Sequence, residues 1–369
     1  MAERLKDHYG TAVVQTIGAM ISRVHPGFRR SRFEDLALKG LSRLELMARG
    51  KHIAEALRAT LPEEIPTALR ILTDSFGPTL EEQPNPGMGS FLYLPHSFFI
   101  ANYGLSSFDL SLKAQRELTQ RFTAEFCIRP FLIADATRTL QFLSRQLHHQ
   151  SPHVRRWISE GTRPRLPWAP RLPAFQRDPT PVLKLLEALK DDSAEYVRRS
   201  VANNLNDIWK DNPAEVYETI RRWKPNSTPE RRWIANRALR NAIKTRDEEA
   251  LKLLGIRASK DLKVSAPQVK VQRIGTRKVV RISFTVTNEG SRPSGEVIAD
   301  FQIHYVKKNG SSSPKVFKLS TIELAPGEGR LLSKQIGLED MTTRRHHAGK
   351  HLVDAIVNGS VTELGAFQI

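Results

Sequence analysis

One cysteine, Cys127, stands in 369 residues. A lone thiol excludes an internal disulfide framework and fits a reducing compartment. No apolar run reaches the roughly 20 residues that a membrane helix needs, and the opening MAERLKDHYG lacks the apolar core of a signal peptide. A soluble cytoplasmic protein, nucleoid-associated and without a membrane partner, is expected. A glycine-rich phosphate loop is missing, as are a Cys–His pair around Cys127, a cluster of metal ligands and a lysine suited to Schiff-base chemistry. No metal and no cofactor are therefore expected. The run Thr342–His351 (TTRRHHAGKH) holds histidines but no cysteine, nearby acid or second histidine pair, so it reads as a mobile basic loop. Acids are also scarce: 39 Asp and Glu stand against 57 Lys and Arg, a formal charge of +18 and a pI near 10.2. Such an excess favours polyanionic partners, nucleic acid before anionic membrane surface, with charge kept for solubility as the plainer reading.

What is present divides in two. The length exceeds what one compact core usually holds. Ala12, Val13, Ile17, Met20 and Ile21 recur at helical spacing, and Leu36, Leu38, Leu41, Leu44 and Leu46 continue the pattern. Helices are thus expected over 3–75, broken at His25-Pro26-Gly27 and Leu61-Pro62. A Pro/Gly-rich connection follows over 76–95, then helices over 96–104, 110–131 and 135–148. Beyond them a phrase repeats: Val154-Arg155-Arg156-Trp157-Ile158, Val197-Arg198-Arg199-Ser200-Val201 and, more loosely, Glu230-Arg231-Arg232-Trp233-Ile234. Ser151-Pro152, Thr180-Pro181, Asn212-Pro213 and Thr228-Pro229 each look like a capping side chain with proline at the first helical position. Ser193 looks like a cap without one. Short helices self-similar at a period of roughly 35–45 residues mark a HEAT-type solenoid, whose helix pairs bury their apolar stripes only by stacking.

The faces of two of these helices differ. Over 193–210, Val197, Val201, Leu205 and Ile208 fall on one side; Arg199, Asn203, Asn206 and Lys210 fall on the other, with Asp207 at the flank. Over 228–245, Ile234, Ala238 and Ala242 point inward and Asn236, Arg237, Arg240 and Lys244 outward. A face of Arg, Lys and Asn with few acids suits phosphate oxygens; an ordinary solvated face is the plainer alternative. After Gly255 the period becomes two. Val280, Ile282, Phe284 and Val286 alternate with polar residues, as do Val297, Ala299, Phe301, Ile303 and Tyr305. Lys308-Asn309-Gly310-Ser311 and Asn358-Gly359 signal hairpins, and Pro326-Gly327-Glu328-Gly329 a tight loop. About seven short strands fit an immunoglobulin-like sandwich. The expected fold is therefore multidomain, α then β: a HEAT-like α-helical solenoid over 1–258, a linker over 259–267 and an immunoglobulin-like β-sandwich over 268–369. From residue 266 on, 15 Lys and Arg stand against 9 Asp and Glu, so both parts are basic.

Carboxylates are unwelcome beside a polyanion, so acids set among these basic helices need a reason. Cleavage of a glycosidic bond supplies one, because the oxocarbenium-like sugar is cationic and nearby carboxylates stabilise it and can direct water. Glu125, Glu160 and Asp207 are the candidates. Each also has a structural reading: Glu125 as the ion-pair partner of Arg121 or Arg129, Glu160 as a helix-end acid, Asp207 as the partner of Lys210. Trp168 lies in a stretch too rich in proline for a helix. It either plugs a gap beneath its loop or stacks on a sugar or base. Arg156 and Arg199 suit phosphates, or ladders of salt bridges between repeats.

Three blocks, AEFCIRPF (124–131), HVRRWISEGTRPRLPW (153–168) and VRRSVANNLNDIWKDNP (197–213), together resemble the bacterial HEAT-like-repeat DNA alkylation-repair glycosylases of the AlkC type. The stretch after 266 is similar to the immunoglobulin-like domain that some of them carry. The resemblance implies a monofunctional N-glycosylase acting on double-stranded DNA. It would remove cationic methylated bases, notably 3-methylcytosine and 3-methyladenine, without base flipping and leave an abasic site for base excision repair. It implies Glu125, Glu160 and Asp207 as the carboxylates around the deoxyribose, Trp168 as a sugar contact and Arg156 as an arginine near the lesion. Arg155, Arg199, Asn203, Lys210, Arg240, Arg344 and Arg345 are the expected DNA contacts, and a monomer is the expected state. The chemistry agrees, since a cationic base leaves without being protonated. A non-catalytic HEAT-repeat protein that binds distorted DNA is the alternative, and a protein-interaction scaffold a third.

Overall fold

A computed structural model describes residues 5–82, 87–225, 227–256, 260–339 and 345–369. The chain divides into two compact units, Met1–Ala238 and Leu239–Ile369. As expected, helices come first and an immunoglobulin-like sandwich follows.

The first unit opens with α1 (Thr11–Val24), α2 (Arg30–Leu38), α3 (Leu46–Thr60) and α4 (Ile65–Asp74). His25-Pro26-Gly27 and Leu61-Pro62 break them where expected. Next come α5 (Leu94–Tyr103), α6 (Phe108–Thr119), α7 (Ile128–Ala134) and α8 (Ala136–Ser144). The single helix expected over 110–131 is thus two. Pro130 has no amide proton and is tolerated only in a first helical turn. The chain leaves the helix after Thr119 and restarts at Ile128, which places Pro130 there. Glu125 consequently lies on the non-helical crossing and not on a helix.

The repeated region gives α9 (Pro152–Gly161), α10 (Pro173–Arg177), α11 (Thr180–Leu189), α12 (Glu195–Trp209), α13 (Pro213–Trp223) and α14 (Pro229–Ala238). The helix expected over 228–245 ends at Ala238. Leu239, at φ −88° and ψ 9°, leaves the helical geometry before α15 (Arg240–Thr245), and α16 (Glu248–Leu253) follows. Proline sets these starts more than side-chain caps do. Ser151 spends its hydroxyl on Glu81 at 2.6 Å and Asn212 its amide on the Gln176 carbonyl at 2.8 Å. Thr180 is inside its helix and Ser193 precedes the Ala194 cap, so neither caps as expected. Thr228 does, accepting from the Arg231 amide at 3.2 Å.

The first arginine of the repeated phrase has a structural task. Arg155 donates to the His149 and Gln150 carbonyls at 2.7 and 2.8 Å, and Arg198 makes the same pair to Asp192 and Ser193 at 2.6 and 2.8 Å. Arg155 also grips the Asp192 carboxylate at 2.6 and 3.0 Å, and Arg231 grips Asp191 at 2.5 Å through two nitrogens. These guanidiniums tie helix starts to neighbouring turns.

In the second unit, β1 (Leu262–Ile274), β2 (Arg277–Asn288) and β5 (Gly329–Gly337) form one antiparallel sheet in the order β1-β2-β5. The other sheet runs β4-β3-β6-β7, with β3 (Val297–Val306), β4 (Ser312–Ile322), β6 (Lys350–Val357) and β7 (Ser360–Gln368). β1 starts at Leu262, inside the stretch read as linker; a register shift between Ser265 and Gln268 hides its alternation. Val280, Ile282, Phe284, Val286, Phe301 and Ile303 fill the core as the alternation predicts. Asn358 and Gly359, both at positive φ, make the β6–β7 hairpin. Along β3, Ile298, Asp300 and Gln302 are buried as well, on the face away from that core. The helical tail of the same unit accounts for it. Arg246, just after α15, donates to Gln302 at 3.3 Å, and Leu251 of α16 lies so close to Gly359 that a Cβ there would be 2.9 Å away.

Candidate active site

Three segments of the first unit bring the predicted acids together. The crossing between α6 and α7 carries Glu125. Its Ala124 carbonyl accepts from the indole N–H of the fully buried Trp157 at 3.1 Å, which fastens the crossing to α9. Gly161 allows the close approach at the end of α9, where a Cβ would stand 2.8 Å from Ile128 Cγ2. The helix α9 presents Arg156 and Glu160 on one face, four residues apart, and α12 presents Asp207 from the next repeat.

Two arginines join the three carboxylates. Arg156 Nη1 lies 2.5 Å from Glu125 Oε2, and its Nη2 lies 3.5 Å from Glu160 Oε1. Arg163 Nη1 donates to Glu160 Oε1 at 2.5 Å while its Nε donates to Asp207 Oδ2 at 2.8 Å. Lys210 Nζ donates to the other Asp207 oxygen at 2.9 Å, and Ser200 to Glu160 Oε2 at 2.7 Å. Thr123 donates to Glu125 at 2.9 Å and accepts from Arg156 at 3.1 Å. The Tyr196 ring lies under the Arg156 guanidinium, 5.2 Å from it. Burial pushes the Glu160 carboxyl up, but Arg156, Arg163 and the Ser200 hydroxyl outweigh it and hold it below the usual carboxylate range. Glu160 is therefore an anion and a poor proton donor at neutral pH.

Trp168 lies on the loop between α9 and α10, the same loop that carries Arg163. It is 79% exposed and adopts φ 64°, the left-handed region that a non-glycine residue enters at roughly 1–2 kcal/mol. It plugs nothing. The rest of the loop is fixed: Leu166 and Leu172 are buried, Leu172 N donates to the Pro164 carbonyl at 3.1 Å, and Arg165 grips Asp211 at 2.7 and 2.5 Å. An exposed indole at positive φ, on a fixed loop that also carries Arg163, is a feature that stability alone does not require.

Glu125 pairs with Arg156 and not with Arg121, which bonds the Gly77 and Glu117 carbonyls, nor with Arg129, which bonds other carbonyls. Glu160 is the helix-end acid expected, the last residue but one of α9, and it is buried as well. The Asp207–Lys210 pair exists, but Asp207 is buried and shared with Arg163. Asn206, expected on the outer face, is buried and donates to the Ala238 carbonyl at 2.7 Å. Arg155 is engaged within the fold as described, and Arg199 forms a surface pair with Glu195 at 2.5 Å. Asn203 is half-exposed, Arg240 half-buried in the second unit and Arg345 exposed. Arg344 lies outside the described residues. Among the described residues no three His, Cys, Asp or Glu side chains stand together as a cation site. Cys127 is no nucleophile, since burial pushes its thiol up to about 12. Sequence reasoning missed Arg163, Ser200, Thr123 and Tyr196. Only Arg163 had a signal, its i,i+3 spacing from Glu160.

Residues 263–369 match the family model described as "Uncharacterised protein YhaZ, C-terminal Ig-like domain". Over 366 residues, 99% of each chain, the sequence is 33% identical to the uncharacterized protein YhaZ of Bacillus subtilis (strain 168). The solved structure of the Pseudomonas fluorescens alkylpurine DNA glycosylase AlkC, bound to DNA containing an abasic site analog, aligns with a TM-score of 0.88 at 35% identity. That alignment covers 100% of this chain and 99% of the other. No helix among the described residues is long and apolar enough to cross a membrane. The chain belongs to the AlkC family of helical-repeat DNA glycosylases that end in an immunoglobulin-like domain.

Proposed function

We propose that the protein is a monofunctional DNA N-glycosylase that removes cationic alkylated bases, 3-methylcytosine and 3-methyladenine, from double-stranded DNA and so initiates base excision repair. The observation that carries this reading is the cluster of Glu125, Glu160 and Asp207 around Arg156 and Arg163, with the exposed Trp168 on the loop that carries Arg163. The relative that was solved on DNA with an abasic site analog is an alkylpurine glycosylase, which supports the purine part of the substrate range.

In this mechanism the bond from C1′ to the base nitrogen breaks with its electron pair leaving on the base. A base that starts as a cation departs neutral, so no acid is needed to protonate it. The positive charge moves to the deoxyribose as an oxocarbenium-like ion. Glu125, Glu160 and Asp207 stabilise it, Trp168 stacks on the sugar, and Arg156 orients Glu125 and Glu160 near the lesion. Water then adds to C1′ and loses a proton, leaving an abasic site. Arg156 and Arg163 keep Glu160 ionised beside phosphates that would otherwise favour its protonation. A pocket for a flipped base is unnecessary, because discrimination comes from the weakness of the bond. Arg199, Asn203 and Lys210, with the basic residues Arg240, Arg344 and Arg345 of the second unit, serve as backbone contacts. No cofactor enters the scheme, and the protein acts as a monomer.

Single-turnover release of 3-methylcytosine and 3-methyladenine from methylated duplex DNA tests it. Asp207→Asn is expected to slow excision about 100-fold or more while affinity for an uncleavable duplex stays within about threefold. Wild-type protein that binds the duplex but releases no base would instead support the non-catalytic reading.

A further inference from the structure

Arg129 takes no part in the reaction just described, yet it is fully buried and has no ion-pair partner among the described residues. Its Nε donates to the Pro170 carbonyl at 2.6 Å, and its Nη1 to the Arg163 carbonyl at 2.8 Å and the Gly161 carbonyl at 3.3 Å. Gly161 closes α9, Arg163 bridges Glu160 and Asp207, and Pro170 follows Trp168 by two residues. One guanidinium thus ties both ends of the segment whose tip is the indole. We propose that Arg129 is a positioning residue for base excision, clamping the 161–170 loop so that Trp168 is held in place at its tip and Arg163 stays between Glu160 and Asp207. The proposal rests on the glycosylase reading given above.

The physical case has three parts. A buried guanidinium that no carboxylate touches, though Asp207 and Glu125 act on it from beyond contact, is an expensive way to satisfy carbonyls, so stability alone is a weak reason for it. Only the planar fork of arginine reaches three acceptors from one side chain; a lysine ammonium, a point donor, does not span both loop ends. Finally, Trp168 sits at positive φ with its ring in solvent, and a loop of this kind relaxes unless its ends are held. Release of the clamp lets the indole drift by an amount that proximity arguments translate into lost rate and not into lost affinity.

The test is a double-mutant cycle on single-turnover excision with the full chain, using Arg129→Lys and Trp168→Ala. Arg129→Lys alone is expected to slow excision by about tenfold or more, with affinity for uncleavable duplex nearly unchanged. Combined with Trp168→Ala it should add less than about twofold, because the residue acts through the loop. Hydrogen exchange in residues 164–172 should quicken in Arg129→Lys while the peptides of α11 and α13 keep wild-type rates. That second readout does not depend on excision, so it still judges the clamp if the wild type releases no base. Multiplicative effects in the cycle, unchanged exchange in the loop, or an Arg129→Lys protein that is unfolded at assay temperature would each overturn the positioning role.

Discussion

Glu160 is a buried acid with demanding surroundings. It is 6% exposed, touches two guanidiniums and a hydroxyl, and carries its charge inside the protein. Its folded carboxyl lies below the ordinary value of 4.5, so its ionisation stabilises the fold above that pH. The contribution is lost as pH falls through the folded value, beneath 4.5. Denaturant unfolding of the wild type should therefore weaken in acid partly through this group, and Glu160→Gln should flatten that dependence. At neutral pH the same substitution is expected to destabilise by about 3 kcal/mol, because Arg163 and Arg156 lose a buried counter-charge. An unaltered unfolding midpoint would show that Glu160 is no structural anion. The sequence made Glu160 visible because it stands where the later repeats carry Asn203 and Asn236. The bridge from Arg163 to Asp207 stayed hidden because the two are 44 residues apart, and nothing in local spacing reports such a pairing.

At the scale of one element, α12 shows how far periodicity reaches. Val197, Val201, Leu205 and Ile208 are buried as their spacing predicts. Yet Ser200, Asn204, Asn206 and Asp207 are buried too, because α12 is covered by α9 and α14 on two sides. An apolar stripe marks one packed face; a second face lined with small polar groups leaves no such mark. Each of these groups crosses to a neighbour. Ser200 reaches Glu160, Asn204 donates to the Ser159 carbonyl at 2.7 Å and Thr162 Oγ1 at 3.2 Å, and Asn206 reaches Ala238. Asn204 thus ties the end of α9 to α12 through groups that belong to none of the three acids. Asn204→Ala is expected to lower stability by about 1–3 kcal/mol through the lost buried bonds to the Ser159 carbonyl and Thr162 Oγ1. Its effect on excision at a temperature where the protein stays folded should be within about threefold. A thermal melt paired with the base-release assay checks both, and a large rate loss without a shift in melting would move Asn204 into the site.

For the whole molecule, the division of the chain falls after Ala238, well before the first strand at Leu262, whereas the change of period placed it near 259. The switch from helical to alternating period is real, but α15 and α16, although helical, belong to the compact unit of the sandwich. Their own sequence gives no warning, because an amphipathic helix looks the same whether a helix or a sheet covers it. The difference has a consequence for truncation. A fragment ending at 258 keeps α15 and α16 without the sheet whose buried Ile298, Gln302 and Ile356 they accompany, and is expected to aggregate. A fragment ending at Ala238 removes the second unit whole and is expected to stay monomeric in size-exclusion chromatography. With that fragment the role of the second unit can be weighed. It carries an excess of basic residues after 266, so if it neutralises phosphates its removal reduces the number of counterions released on binding. The plot of log affinity for duplex against log salt should then be shallower for the fragment than for the full chain, by about 0.9 for each phosphate that the second unit neutralises. Parallel plots would mean that the second unit stays off the DNA and that its basic charge serves another end.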